Sequence, residues 1–345
     1  MTLLAFRRFL LPLIVLRFLN FPAAVSGERD YHVIMRYSLG GSGTYDYITI
    51  DSSARRLYLT EANRVVVLDL DHRNVLGEIN GLRMAQRVAL VKEVRRGFIS
   101  DGAADRVLIF DPENLKIQGE IKTDGKPDCI LYDPASRYLF SFNGRGKNAS
   151  VIDPAKGAVV ATIPLGGRPE FAAADGQGMV YVNNRDTSEV IAIDSRGRTV
   201  KARWPIAPAV EPSSMAIDRE HRRLFIGARN KFLVVMDADN GKVIQSLPIG
   251  GMVDAGAYEP ETGLVFTSEG EGTLHIFHED SPNRFSLIQT VYTPPGARTM
   301  GLDPKTHDLF LVTAEFGPPP PPTTENPNPQ PLVMPGTFTL LVYGR

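Results

Sequence analysis

Four carboxylates occupy one repeated place in this chain. Asp46, Asp128, Glu170 and Asp254 each stand five residues before a second acid, respectively Asp51, Asp133, Asp175 and Glu259. The same count reaches Ser213 before Asp218 and Arg298 before Asp303. In one further copy the place falls on Gln86 or Arg87, depending on where a shorter turn is gapped. Pro127-Asp128, Pro169-Glu170 and Pro212-Ser213 share a preceding proline. Like charges brought together repel, and burial raises a carboxyl pKa unless a cation compensates. Arg87 and Arg298 would compensate from within; a metal ion, a polyamine or a basic peptide would do so from outside. Oxygen-only ligands such as Asp128, Glu170 and Asp254 suit Ca²⁺ or another hard divalent cation, not copper or a structural zinc.

Positioning these residues requires a repeated element, and the chain carries one. An apolar run, a turn, an apolar-aromatic run, a polar turn and a third run ending in Asp recur, as in YITIDSSARRLYLTEANRVVVLDLD and SMAIDREHRRLFIGARNKFLVVMDAD. The closing residues are Asp69, Asp111, Asp153, Asp194, Asp237 and His278, spaced by 42, 42, 41, 43 and 41. A fourth apolar run ends each unit, including VLGEI, IQGEI and VVATI. Four short strands joined by tight turns make one propeller blade, and no segment shows sustained helical periodicity.

The predicted fold is therefore all-β: a seven-bladed β-propeller of four-stranded antiparallel blades. Blades 1–6 are expected over 46–86, 87–127, 128–169, 170–212, 213–253 and 254–297. The seventh, 298–345, supplies only three runs, ARTMGLD, HDLFLVTA and TFTLLVY. HVIMRYSL, within residues 30–45, is the missing fourth run, so an N-terminal strand pairing into the last blade closes the ring and leaves no open edge. Residues that begin the innermost strands then ring the central channel, and Glu61, Asp101, Asn143, Asn184 and Glu269 end the second strands nearby.

The segments MVYVNN, RRLYLTEANRVVVLDLD and DPASRYLF resemble the YVTN-repeat, YncE-like family of seven-bladed propellers over residues 30–345. That resemblance implies the fold; similar propellers serve binding, scaffolding and several enzyme chemistries. The family commonly has a small or aromatic residue and then Gly after the blade-opening proline. This chain often has an acid there, so the ligands of relatives do not carry over.

Outside the repeat, residues 1–27 set Arg7 and Arg8 before the apolar run Phe9–Leu16 and the small residues Ala23, Ala24, Ser26 and Gly27. This is the layout of a secretory signal, with Arg17 breaking the run too early for a membrane span. A secreted or periplasmic, monomeric protein without a stable membrane span is the expectation. A net charge of −1 over 345 residues gives no electrostatic case for nucleic-acid partners, and a single cysteine, Cys129, precludes an intramolecular disulfide. Cys129 reads as a small core residue and Trp204 as packing. Asn148-Ala149-Ser150 is a glycosylation sequon if the host glycosylates.

A Pro-rich insertion, 316–335 with prolines at 318–322, falls between the second and third runs of blade 7. Such sequence favours extended polyproline conformation. It is either a tolerated surface insertion or a semi-rigid arm, and antiparallel geometry puts it on the face where the innermost strands begin.

Motifs for nucleotide, haem or serine-hydrolase chemistry do not occur, and the six histidines avoid the channel positions. The function read from these residues is binding, without chemistry, of a small molecule, cation or protein segment at an acidic channel mouth. Its residues would be Asp46, Arg87, Asp128, Glu170, Ser213, Asp254, Arg298, Asn143 and Asn184. One alternative is a metal-dependent, lactonase-like hydrolase using the same funnel, with the cation polarising a carbonyl. A third is a structural interaction propeller working through its sides.

Overall fold

The computed structural model describes residues 30–324, 329 and 331–345, so the expected signal segment lies outside the described residues. Seven four-stranded antiparallel sheets follow one another around a central axis. Six are meanders spanning 45–80, 85–122, 127–164, 169–205, 212–248 and 253–292. The seventh joins Met300–Asp303, Asp308–Thr313 and Phe338–Gly344 to the N-terminal strand His32–Gly40 at its outer edge. Registered pairs such as His32↔Gly344 and Tyr37↔Leu340 close the ring as the missing fourth run required.

Strands form here because Val, Ile, Leu, Phe and Tyr dominate runs too short for helices and bounded by turns. Second and third strands are buried on both faces, as in Arg56–Glu61 and Arg64–Asp69, because each blade is sandwiched between two others. Seven hydrophobic clusters fill the seven interfaces. One unites Tyr45, Ile48 and Leu57 of blade 1 with Phe310 and Leu340 of blade 7, with Met35, Tyr37 and Leu39 of the N-terminal strand packed on it.

The second acid of the repeat builds the turn between first and second strands. Asp51 Oδ1 accepts the backbone N–H groups of Ser53 and Ala54 at 3.2 and 3.1 Å. Asp133, Asp175, Asp218 and Asp303 cap their turns in the same way. These caps satisfy turn donors locally, which explains why Asp recurs at that place.

Candidate functional site at the channel mouth

Each of the first six blades begins with a disturbance of register in its innermost strand, between Tyr45 and Ile48, Ala85 and Val88, Pro127 and Ile130, Pro169 and Ala172, Pro212 and Ser214, and Val253 and Ala255. A bulge re-aims the side chains it contains. Polar residues on the adjoining second strands fasten these openings: Thr60 Oγ1 donates to Gln86 O at 2.8 Å and Asn183 Nδ2 to Ser214 O at 2.9 Å. Backbone positions at the mouth are therefore set by neighbouring blades as well as by their own.

Equivalent registers resolve the ambiguity in blade 2. Tyr45 pairs with Glu61 and Ile48 with Leu59, while Ala85 pairs with Asp101 and Val88 with Ile99. Gln86 is thus the counterpart of Asp46, and Arg87 that of Tyr47. Arg87 does not belong to the ring of acids; it lies in a second layer with Tyr47, Cys129 and Phe171. Its guanidinium carbon stands 5.0 Å from the Tyr47 ring centre and 4.6 Å from that of Phe171. Arg87 Nη1 also approaches Cys129 Sγ at 2.9 Å. Tyr47 and Phe171, from blades 1 and 4, meet with ring centres 5.3 Å apart, so side chains bridge the channel beneath the acids.

The acids are in unequal company. Glu170 lies 3.1 Å from Arg168 Nη2 and 3.4 Å from Arg185 Nη1. Asp254 accepts from Arg298 Nε at 2.9 Å, with Arg229 Nη2 at 3.8 Å. Ser213 is buried and receives Arg229 Nε at 3.3 Å. Asp46 and Asp128 make no side-chain hydrogen bond or ion pair among the described residues. Desolvation, followed by the neighbouring Asp128, raises the Asp46 pKa well above the carboxylate range. Desolvation and then Glu170 push Asp128 up to about 7. Glu170 is also raised, by burial, against the opposing pull of its two arginines.

The mouth is consequently not the acidic funnel expected from the strand-opening residues. Arg168, Arg185 and Arg229 join Arg298 there, and sequence reasoning passed over all three. A signal existed: Asn184-Arg185 and Ala228-Arg229 repeat an arginine directly after the second strand, and Arg168 precedes Pro169 as Lys126 precedes Pro127. Charge is polarised around the rim. Blades 1 and 3 contribute Asp46 and Asp128, which have no ion-pair partner among the described residues although Arg298 attracts the first and Lys126 and Arg168 the second, whereas the arc from blade 4 to blade 7 interleaves Glu170 and Asp254 with arginines.

Asn143 and Asn184 do not join this cluster. Asn143 Nδ2 is held by Asn148 Oδ1 at 2.7 Å and Ser150 Oγ at 2.8 Å, within its own blade. Asn184 Nδ2 donates to Leu165 O at 3.1 Å. Glu61 pairs with Arg64 at 2.9 Å, Asp101 with Arg106 at 3.0 Å, and Glu269 with His275 at 3.0 Å. The polar residues ending second strands are thus engaged away from the ring of acids, four of them within their own blades and Asn184 with the end of blade 3. Asp128, Glu170 and Asp254 do not bring three ligand atoms within 4.8 Å of one another among the described residues, so they do not form a single-ion site.

Beside Arg298 the rim opens into a cavity of about 430 Å³ lined by Tyr45, Met252, Gly296, Phe316, Pro331 and Val333 among others. The base of the Pro-rich arm forms one wall. It is closed by a Phe316↔Val333 bridge and by Gly317 N–H donating to Leu332 O at 2.9 Å. No helix among the described residues is long and apolar enough to cross a membrane.

No protein-family model matches the chain, and no curated protein matches it in sequence. Among solved structures, a chain of Kuenenia stuttgartiensis hydrazine synthase is similar, with a TM-score of 0.69 and 15% identity. The match covers 81% of this chain and 94% of that one. At this identity the likeness shows a shared propeller fold and nothing of function.

Proposed function

We propose that the protein is a non-catalytic binding propeller whose mouth takes a small zwitterionic ligand with an apolar part. The amine of the ligand lies against Asp46 and Asp128, its acid group against the arginines of blades 4 to 7, and its apolar part in the cavity beside the Pro-rich arm. One observation carries this reading: the unpaired carboxyls, the partly exposed guanidiniums and an apolar cavity adjoin on one rim. A cation alone leaves the arginine arc unused, and an anion alone leaves Asp46 and Asp128 destabilised. Apolar walls with a few oriented polar groups are the usual composition of a small-molecule site.

Calorimetry with spermidine, a dicarboxylate and an apolar dipeptide tests the proposal. The dipeptide should bind tightest, and the Asp46→Asn/Asp128→Asn double variant should weaken it at least tenfold. Equal affinities for all three probes, or an unaffected double variant, would overturn it. Binding should release protons near pH 7, because an ammonium group favours the charged form of Asp128. The YVTN-type repeat and the N-terminal signal layout support a further proposal, that this ligand is met outside the cytoplasm. N-terminal sequencing of the mature protein after expression with its leader tests it; an intact Met1 would count against it.

A further inference from the structure

On the face opposite the mouth, three side chains from two adjacent blades turn toward one point. Asp218 closes the first strand of blade 5, Pro212–Asp218, and His221 stands in the turn that follows. Glu279 belongs to the third strand of blade 6, Thr273–Ser281. His221 Nδ1 lies 2.8 Å from Asp218 Oδ2 and 3.1 Å from Glu279 Oε1. The three atoms all fall within 4.8 Å of one another. Both carboxylate side chains are deeply buried, 1% and 4% exposed, whereas the imidazole is 40% exposed.

An imidazole Nδ1 carries at most one proton, so it can satisfy only one of two acids. Glu279 Oε1 is left buried with no hydrogen-bond partner. Its other oxygen is engaged, accepting Tyr258 Oη at 2.7 Å, and Tyr258 is packed on Phe225 with ring centres 5.2 Å apart. Asp218 is also held, through the backbone N–H of Glu220 at 2.9 Å and of His221 at 3.1 Å. These outer contacts aim one oxygen of each acid inward, as supports around metal ligands do.

Nearby cations are committed elsewhere. Arg219 donates to Ala174 O, Arg222 pairs with Asp175 and Asp239, and Arg223 pairs with Asp237 and bonds Asn283. At other blade junctions on this face, two acids share the several donors of one arginine, as Asp71 and Asp303 share Arg55, or one acid meets one imidazole, as Glu259 meets His307. Between blades 5 and 6, two acids meet one imidazole, and a positive charge is wanting.

We propose that Asp218, His221 and Glu279 bind one divalent transition-metal ion, of the zinc or manganese type, which rivets blade 5 to blade 6. One nitrogen with two carboxylate oxygens favours such ions over Ca²⁺. Separations of 2.8 and 3.1 Å fit the edges of a coordination shell whose bonds are about 2.1 Å. Water completes the shell on the exposed side of His221.

The test uses untagged full-length protein stripped with EDTA, titrated calorimetrically with ZnCl₂, MnCl₂ and CaCl₂. Zn²⁺ or Mn²⁺ should bind at one equivalent, more tightly than Ca²⁺, and raise the unfolding temperature. His221→Ala and Glu279→Gln should each weaken binding at least tenfold, while Asp128→Asn at the mouth leaves it unchanged. Glu279→Gln preserves the side-chain shape, and its unfolding in EDTA confirms that the variant is folded. Binding below one equivalent, binding undiminished in both variants, or binding lost in Asp128→Asn would each overturn the proposal.

Discussion

Asp128 places its carboxyl among crowded protein atoms and other acids, and both effects hold its proton, with a pKa pushed up to about 7. A carboxyl with a raised native pKa binds protons more tightly than the unfolded chain does, so protonation stabilises the fold. That contribution is present at low pH and is lost as pH rises from about 4 through about 7. Asp128→Asn, which mimics the protonated form, should therefore stabilise the protein at pH 8 by on the order of 1–3 kcal/mol. Below pH ~4 it should be neutral, since both proteins are then uncharged at this site. Denaturant midpoints at the two pH values check this, and an unchanged midpoint at pH 8 would mean that the charge is compensated in the native state. Asp46→Asn should act in the same direction, and the double variant should fall short of additivity because Asp128 contributes to the raised pKa of Asp46.

Among elements, the Pro-rich arm is the one addition to the repeat, and its root is specified tightly. Gly296 adopts φ +82°, and a Cβ there would lie 2.6 Å from the Phe316 ring and 2.9 Å from Tyr45 Oη. Gly296→Ala should cost about 1–3 kcal/mol through backbone strain, displace Phe316 and weaken the dipeptide. Unaltered affinity together with unaltered stability would refute that linkage. Deleting Gly317–Pro331 keeps Phe316 and Val333 while removing Pro331 from the cavity wall and the hydrogen bond from Gly317 to Leu332. It should leave the unfolding temperature within a few degrees while accelerating ligand dissociation, measured by stopped flow. Unchanged kinetics would make the arm a passive insertion. The position of this arm was legible from strand count alone. Its wall of Phe316 and Val333 beside Tyr45 was not, because contact between residues about 270 apart has no local signal.

For the whole molecule, closure depends on nine residues at the N-terminal end of the described chain, His32–Gly40. They cover the edge of Phe338–Gly344 and bring Met35, Tyr37 and Leu39 onto the cluster between blades 7 and 1. Removing residues 1–40 should lower the unfolding temperature by roughly 10 °C or more. It should also promote self-association, because a bare strand edge is a template for pairing. Light scattering and calorimetry check both effects; a monomer of unchanged stability would show that the ring closes without this strand.

The sequence by itself determined the blade count, the ring closure and the face on which the arm emerges. These depend on periodic spacing and on alternating strand direction, which are local and additive along the chain. It also located the ring of Asp46, Asp128, Glu170, Ser213 and Asp254, because one register recurs in the first six blades. Only the tertiary structure decided who stands beside whom. The register of blade 2 made Gln86 the counterpart of Asp46 and put Arg87 a layer below the acids, stacked with Tyr47 and Phe171. Turn and strand ends brought Arg168, Arg185 and Arg229 to the rim, while Asn143 was drawn into its own blade and Asn184 toward the end of blade 3. A carboxylate's chemistry is set within a few ångströms by desolvation and opposite charge, and in a closed ring those neighbours come from other blades.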